Sequence, residues 1–292
     1  MIIDFNSRPP VQPFISEPLY TRPGEISREW GISLPSSAMQ KSLDLFFKEM
    51  EDSGVTHCLL TGRAVASYGV SKYNDGIADL AGKYPDKFSG YGAVDPGDIP
   101  AAVAEVERCV KMGLKGIILE ANVQFGVIAV TETLVPASEI SPPTYADDPK
   151  YRPIYARCQE MGVPVMLPLS ARLGPDMSYC SPHQVDHIAG EFPKLKIIVA
   201  HGCWPMVGEA CGVAWRRRNV YLLPNIYGVN MPGHLGYVEA ANWYLSERML
   251  FGSVYPAAPM KEMVNFYKEL PWGMGIREKV MYQNAANLLG LS

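Results

Sequence analysis

The sequence predicts an α/β protein folded as a single (β/α)8 TIM barrel over residues 1–292, and three observations carry that prediction. Short apolar runs alternate with longer amphipathic segments along the chain, the runs number eight, and no Gly-x-Gly-x-x-Gly turn follows the first of them. Strand-then-helix units of that number close into a barrel of about 250 residues plus insertions. Two dinucleotide-binding halves are the alternative, and they need the glycine turn that is missing.

Each predicted strand is a continuous apolar run, the pattern of a parallel strand covered on both faces. The runs lie at 2–5, 57–60, 88–94, 116–119, 164–167, 196–200, 220–223 and 249–252. Between them, helix candidates repeat apolar residues at i, i+3 and i+4, as do Leu43, Phe46, Phe47 and Met50 in 42–50, and Val103, Val106 and Val110 in 99–112. Pro100, Pro149 and Pro259 fall where a first helical turn tolerates proline, and Gly54, Gly113 and Gly162 where a helix end favours glycine. Two segments, 8–36 and 121–148, are long βα loops after the first and fourth strands. They belong to the barrel face on which active sites are built, and are expected to act as lids.

Composition excludes several classes of function. With 48% hydrophobic and 19% charged residues and a formal net charge of −4, this is the balance of a soluble globular protein. The only dense basic run, Arg216-Arg217-Arg218, is too short to track a phosphate backbone, so nucleic-acid binding is not expected. Cys58, Cys109, Cys158, Cys180, Cys203 and Cys211 are scattered without zinc spacing and read as buried thiols of a reduced compartment. No apolar run approaches the ~20 residues of a spanning helix and no signal-peptide pattern opens the chain, so a cytoplasmic location without membrane contact is expected.

In such a barrel the residues ending each strand converge on one face. They are Asn6 and Arg8, Arg63, Asp95, Glu120 with Gln124, Ser170 with Arg172, His201, Asn225 with Tyr227, and Ser253 with Tyr255. His201 is the candidate proton donor or acceptor, with Glu120 and Tyr255 as further catalytic candidates. Asn6, Arg8, Arg63, Arg172 and Tyr227 are the candidate substrate contacts, and three arginines at one rim suit a small anionic substrate. Plainer readings exist for each: a hydrogen-bonded structural histidine, a salt bridge from Arg8 to Asp4 or Glu120, surface charges at Arg63 and Arg172, packing for the tyrosines. Cys203 reads as a packed thiol, His183 and His187 as a solvated helix face, and Asp147-Asp148 before Pro149 as a helix cap.

Four stretches add a resemblance: Ile3-Asp4-Phe5-Asn6-Ser7-Arg8-Pro9, His201-Gly202-Cys203-Trp204-Pro205, Phe251-Gly252-Ser253-Val254-Tyr255-Pro256 and Gln283-Asn284-Ala285-Ala286-Asn287-Leu288-Leu289. In order and spacing the chain resembles the amidohydrolase-related family, often called amidohydrolase 2, which includes aminocarboxymuconate-semialdehyde and benzoate-type decarboxylases and some lactone hydrolases. The resemblance implies a barrel of the amidohydrolase type, a dimer packed through its outer helices, and hydrolysis or non-oxidative decarboxylation of a small carboxylate-bearing molecule. Members that bind zinc or manganese carry Asp-x-His-x-His on the first strand, a His after the fifth, a His after the sixth and an Asp after the eighth. The matching positions hold Asn6, Arg8, Pro168, His201 and Val254, so one ligand of five remains. A divalent ion needs three or four converging ligands, and neither metal nor other cofactor is expected. The resemblance therefore implies a metal-independent enzyme. The alternative is a non-catalytic subunit partnering a metal-bearing paralogue.

Overall fold

In the computed structural model of the protein, residues 1–21, 31, 33–63, 69–121, 144–174 and 176–291 are described. Alternation along the strands divides their apolar side chains between two cores. Ile3, Phe5, Leu59, Tyr91, Ile118, Met166, Ile198, Ala200 and Leu223 point inward and fill the barrel, while their neighbours, such as Leu60, Ile117, Val165, Val199 and Leu222, pack outward against helices. Among the described residues seven parallel strands pair in chain order: β1 (Ile3–Ser7), β2 (His57–Thr61), β3 (Phe88–Ala93), β4 (Gly116–Ile118), β5 (Val165–Pro168), β6 (Ile197–Ala200) and β7 (Val220–Leu223).

The run expected as an eighth strand closes the barrel without forming a regular strand. Leu250 N donates to Leu222 O at 2.9 Å, and Phe5 N donates to Phe251 O at 3.0 Å, so the segment bonds to both β7 and β1. Beyond that, a side chain takes over the ladder. Ser253 N donates to Asp4 Oδ1 at 2.8 Å, and Val254 turns to φ 60°, which ends the extended conformation. The barrel is thus eight-membered in topology, with one seam held partly by a carboxylate.

Helices follow the strands: α1 (Leu43–Ser53), α2 (Val70–Lys83), α3 (Ile99–Lys111), α4 (Arg152–Glu160), α5 (Pro182–Glu191), α6 (Val207–Arg216), α7 (Leu235–Trp243) and α8 (Met260–Glu269). Their ends obey the expected chemistry. Ser42 Oγ caps α1 by accepting from Leu45 N, Asp98 caps α3, and Gly54 ends α1 at φ 78°. Asp148 caps the short helical turn Pro149–Tyr151, as its place before a proline suggests. Pro259 departs slightly from expectation, since it is the N-cap of α8 and not a residue of its first turn. The C-terminal helix, Asn284–Leu289, plugs the barrel floor with Ala285, Ala286 and Leu289, and Asn284 Nδ2 anchors it on the carbonyls of Ser246 and Met249. All six cysteines are buried and unpaired.

The first long loop departs from expectation in part. Over 8–21 it is wall and not lid: Phe14 and Glu17 are fully buried, Leu19 and Tyr20 nearly so, and the chain turns helical at Pro18–Thr21. Its residues 22–30 and 32 lie outside the described residues, as do 122–143 of the second loop, including Gln124.

Candidate functional site

The ends of β1, β2 and β4 to β7 and of the eighth segment surround one cavity on the C-terminal face of the barrel. Its space, counted to the open mouth, is about 800 Å³. Asn6, Arg8, Arg63, Glu120, Arg172, His201 and Tyr227 all line it, so seven of the eight residues chosen from sequence come together. Ile118, Met166, Val254 and Ala257 supply apolar surface. Tyr255 does not line the cavity. Because Val254 turns left-handed, the next side chain is carried behind the wall, where the buried Tyr255 hydroxyl meets Ser37 Oγ and its ring packs on Phe46 at 4.8 Å.

The two buried arginines are held from behind. Arg8 Nε lies 3.3 Å from Thr61 O and 3.5 Å from Glu17 Oε1. Its partner is therefore Glu17, and not Asp4 or Glu120 as its position suggested. Arg63 clamps one oxygen of Glu120, with Nε and Nη2 at 3.1 and 3.0 Å from Oε1, while its Nη1 is 3.9 Å from Glu17 Oε2. Burial alone would lower the Arg63 pKa, but Glu120 and Glu17 outweigh it and hold the guanidinium charged. Burial raises the Glu17 pKa despite Arg8, Arg63 and a short hydrogen bond from the Tyr73 hydroxyl. Arg8, Arg63, Glu17 and Glu120 form one network, with both arginines and Glu120 on the cavity side and Glu17 behind them.

His201 presents a neutral ring to this network. Burial, and then the charges of Arg8 and Arg63, push its pKa down to about 3. Asn225 Nδ2 lies 3.3 Å from its Nδ1. With the amide oriented in this way Nδ1 accepts, and the ring proton sits on Nε2. The close fit needs Gly252, where a Cβ would come within 2.5 Å of Asn225 Oδ1. Tyr227 meets the imidazole edge-on at 5.7 Å and stacks on Trp204 at 5.2 Å, which fixes the ring from its other side. His201, Asn225 and Val254 all have positive φ (67°, 57° and 60°), so three successive barrel walls end in left-handed turns around the site.

The donor set does not fit the metal of the family pattern. Of the five positions only His201 offers a nitrogen ligand; Asn6 Oδ1 already accepts from Thr61 Oγ1 at 2.9 Å, and three guanidinium groups share the cavity. Among the described residues no group of three His, Cys, Asp or Glu side chains is placed to hold an ion. Cys203 is a buried thiol with a raised pKa, and His187 is exposed and pairs with Asp147 at 2.6 Å.

Sequence reasoning missed Glu17, Tyr73 and Thr61. Glu17 lies in a proline-rich segment without periodicity, so nothing marked it as buried; Tyr73 reaches the site from the outer face of the barrel.

The sequence profile of the amidohydrolase family matches residues 33–291, most of the barrel, and the chain belongs to that family. A crystal structure of an uncharacterised TIM-barrel protein, Bb4693 from Bordetella bronchiseptica, is 35% identical, covers 99% of this chain and 98% of its own, and superposes with a TM-score of 0.89. A gamma-resorcylate decarboxylase from Rhodococcus jostii is 28% identical over 200 residues, 67% of this chain, and the match spans about half (54%) of that enzyme. The structure of a dihydroxybenzoic acid decarboxylase from Polaromonas sp. JS666, with bound manganese and the inhibitor 2-nitroresorcinol, shares the fold at a TM-score of 0.72 and 19% identity over 99% of this chain and 97% of its own. Gamma-resorcylate decarboxylases from Polaromonas sp. JS666 and a Rhizobium sp. are further relatives, at 23% and 27% identity. Among the described residues no helix is long and apolar enough to cross a membrane.

Proposed function

We propose that this chain is an enzyme that decarboxylates a small aromatic or similarly flat acid without a metal ion, with hydrolysis as the other reaction class of its family. The observation that carries the reading is one cavity in which Arg8, Arg63 and a neutral His201 face an apolar floor. The decarboxylase relatives support the choice of reaction. Arg8 and Arg63, with Arg172 at the rim, hold the carboxylate, while Ile118, Met166 and Val254 take the ring. The bound anion offsets the arginine charges, which raises the proton affinity of His201 and lets it arrive protonated at the reacting carbon. The proton passes from imidazolium to that carbon, the carbon–carboxylate bond breaks with its electron pair left on the ring, and CO2 departs. Glu120 keeps Arg63 in position.

The test is CO2 release from a panel of hydroxybenzoic acids by chelator-treated protein. Turnover that survives chelation and is lost in His201→Ala is the expected result; turnover that requires added manganese or zinc overturns metal independence. The second reading is a non-catalytic subunit working beside a metal-bearing paralogue. It is favoured by the same network, in which both arginines already have carboxylate partners. An inactive chain that co-purifies with such a paralogue and is active only in the mixture would establish it.

A further inference from the structure

At the opposite, N-terminal end of the barrel the starts of β6, β7 and the eighth segment meet the C-terminal helical region around a second cleft, about 940 Å³ counted to open solvent. Its lining is basic: Lys196, Arg218, Arg248 and Lys279 face a single acid, Glu247, which already pairs with Lys279 at 3.5 Å. Arg248 is the unusual member. It is only 8% exposed, and its Nη1 donates to the carbonyls of Ala214, Arg217 (3.0 Å) and Val220 (3.1 Å), whereas Nη2 is buried without a hydrogen-bond partner. A buried guanidinium normally has a carboxylate or comparable acceptor against it. Burial and the neighbouring Arg218 lower its pKa, which marks a positive charge that its own chain leaves under-compensated. The phenol of Tyr221 and the side-chain amides of Gln283 and Asn287 add neutral donors.

We propose that this cleft binds a phosphate-bearing anion at a site separate from the catalytic cavity. Two lysines and two arginines against one acid suit a dianionic or more highly charged group, and the cleft has room for more than the phosphate alone. Nothing in the reaction proposed above uses these residues, so the site serves recognition or regulation.

Thermal melting tests it, with inorganic phosphate, pyrophosphate and glycerol 3-phosphate each compared with sodium chloride at matched ionic strength. The expected result is an upward shift that grows with phosphate or pyrophosphate concentration, exceeds that in chloride, and is lost in the exposed-residue double variant Lys196→Gln/Arg218→Gln. Arg8→Met/Arg63→Met, at the other end of the barrel, should keep the shift. Glycerol 3-phosphate binding more tightly than inorganic phosphate assigns a phosphorylated small molecule; equal binding assigns the phosphate group alone. No shift over chloride in the wild type, a shift that persists in the Lys196/Arg218 variant, or one that disappears in the Arg8/Arg63 variant overturns the proposal. Arg248→Met probes the buried partner, and the surface double variant decides the question if Arg248→Met does not fold.

Discussion

Glu17 lies behind Arg63, its Oε2 3.9 Å from Nη1, with no hydrogen-bond partner on that oxygen. It balances the cavity arginines from the side a substrate does not reach. Glu17→Gln keeps the shape and the contact with Tyr73 but removes a buried negative charge. Stability is expected to fall by about 3 kcal/mol, the size of breaking a buried ion pair. Affinity for a carboxylate should rise at the same time, because the arginines lose a competitor. Denaturant unfolding and calorimetric titration with a benzoate measure the two effects, and weaker carboxylate binding in the variant would refute the arrangement.

Arg8 and Arg63 should be separable from the apolar floor by substitution. A carboxylate at a hundredfold excess over its dissociation constant stabilises the wild type by about 2.7 kcal/mol. In Arg8→Met and Arg63→Met, which keep volume without charge, most of that ligand-induced shift is expected to vanish. A thermal-shift series with benzoates checks it; hits unchanged in both variants would remove the anion-binding role.

The pH dependence of stability contains two opposing contributions. His201 has its pKa pushed down to about 3, so the unfolded chain binds its proton first; its contribution is complete above pH 6.5 and falls as the pH drops toward 3, by at most about 1.4 kcal/mol per unit. Asp4 behaves in the opposite sense. Burial, against hydrogen bonds from Ser253 and Asn6, raises it from 3.8 to about 6, so its contribution is complete below 3.8 and is lost as the pH rises through 6. Between pH 4 and 6 these two contributions oppose each other, while Glu17, also raised by burial, adds to the Asp4 side and His57, lowered by burial, to the His201 side. His201→Gln removes the first contribution, and stability should then decline from pH 4 to 6 relative to the wild type. Urea unfolding at unit intervals decides it, since a variant profile parallel to the wild type contradicts the assignment.

Much of this was readable because barrel strands and helices announce themselves by apolar runs and amphipathic spacing. The runs around Leu59, Val199 and Leu222 gave strands at the expected places, and the strand-end rule brought Arg8, Arg63, Glu120 and His201 to one cavity. Failures came where backbone and side chain exchange roles. The seam at Asp4 and Ser253 looks like a strand in sequence because only a side-chain hydrogen bond displaces the ladder. Tyr255 was assigned to the cavity by the strand-end rule, and the left-handed turn at Val254 carries it behind the wall instead. Glu17 carries no signal in its own neighbourhood, since its burial depends on Arg8, Arg63 and Tyr73 arriving from other elements.

The outer helices carry a testable surface. Trp243, 84% exposed at the end of α7, precedes Tyr244 (42%) in the chain, and Tyr244 meets Trp215 of α6 (56%) edge-on at 6.5 Å. Aromatic side chains of this kind are enriched in interface cores. An oligomer in solution is expected, and Trp243→Ser with Trp215→Ser should shift it toward monomer without lowering the melting temperature of the barrel. Analytical ultracentrifugation showing a wild-type monomer at micromolar concentration would dismiss the expectation.

Val254 is a β-branched residue at φ 60°, a conformation in which glycine, asparagine and aspartate are comfortable and valine is not. The main chain there holds about 1–3 kcal/mol of strain as a result. Installing a carboxylate at a buried apolar site ordinarily threatens the fold, but here the backbone would relax and the new group would enter the cavity that Arg8, Arg63 and Arg172 line. Val254→Asp should therefore fold with near wild-type stability and should draw the His201 pKa upward, observable by NMR titration of its imidazole. The left-handed turn at Val254 is thus a reserve of strain that one acidic substitution can release.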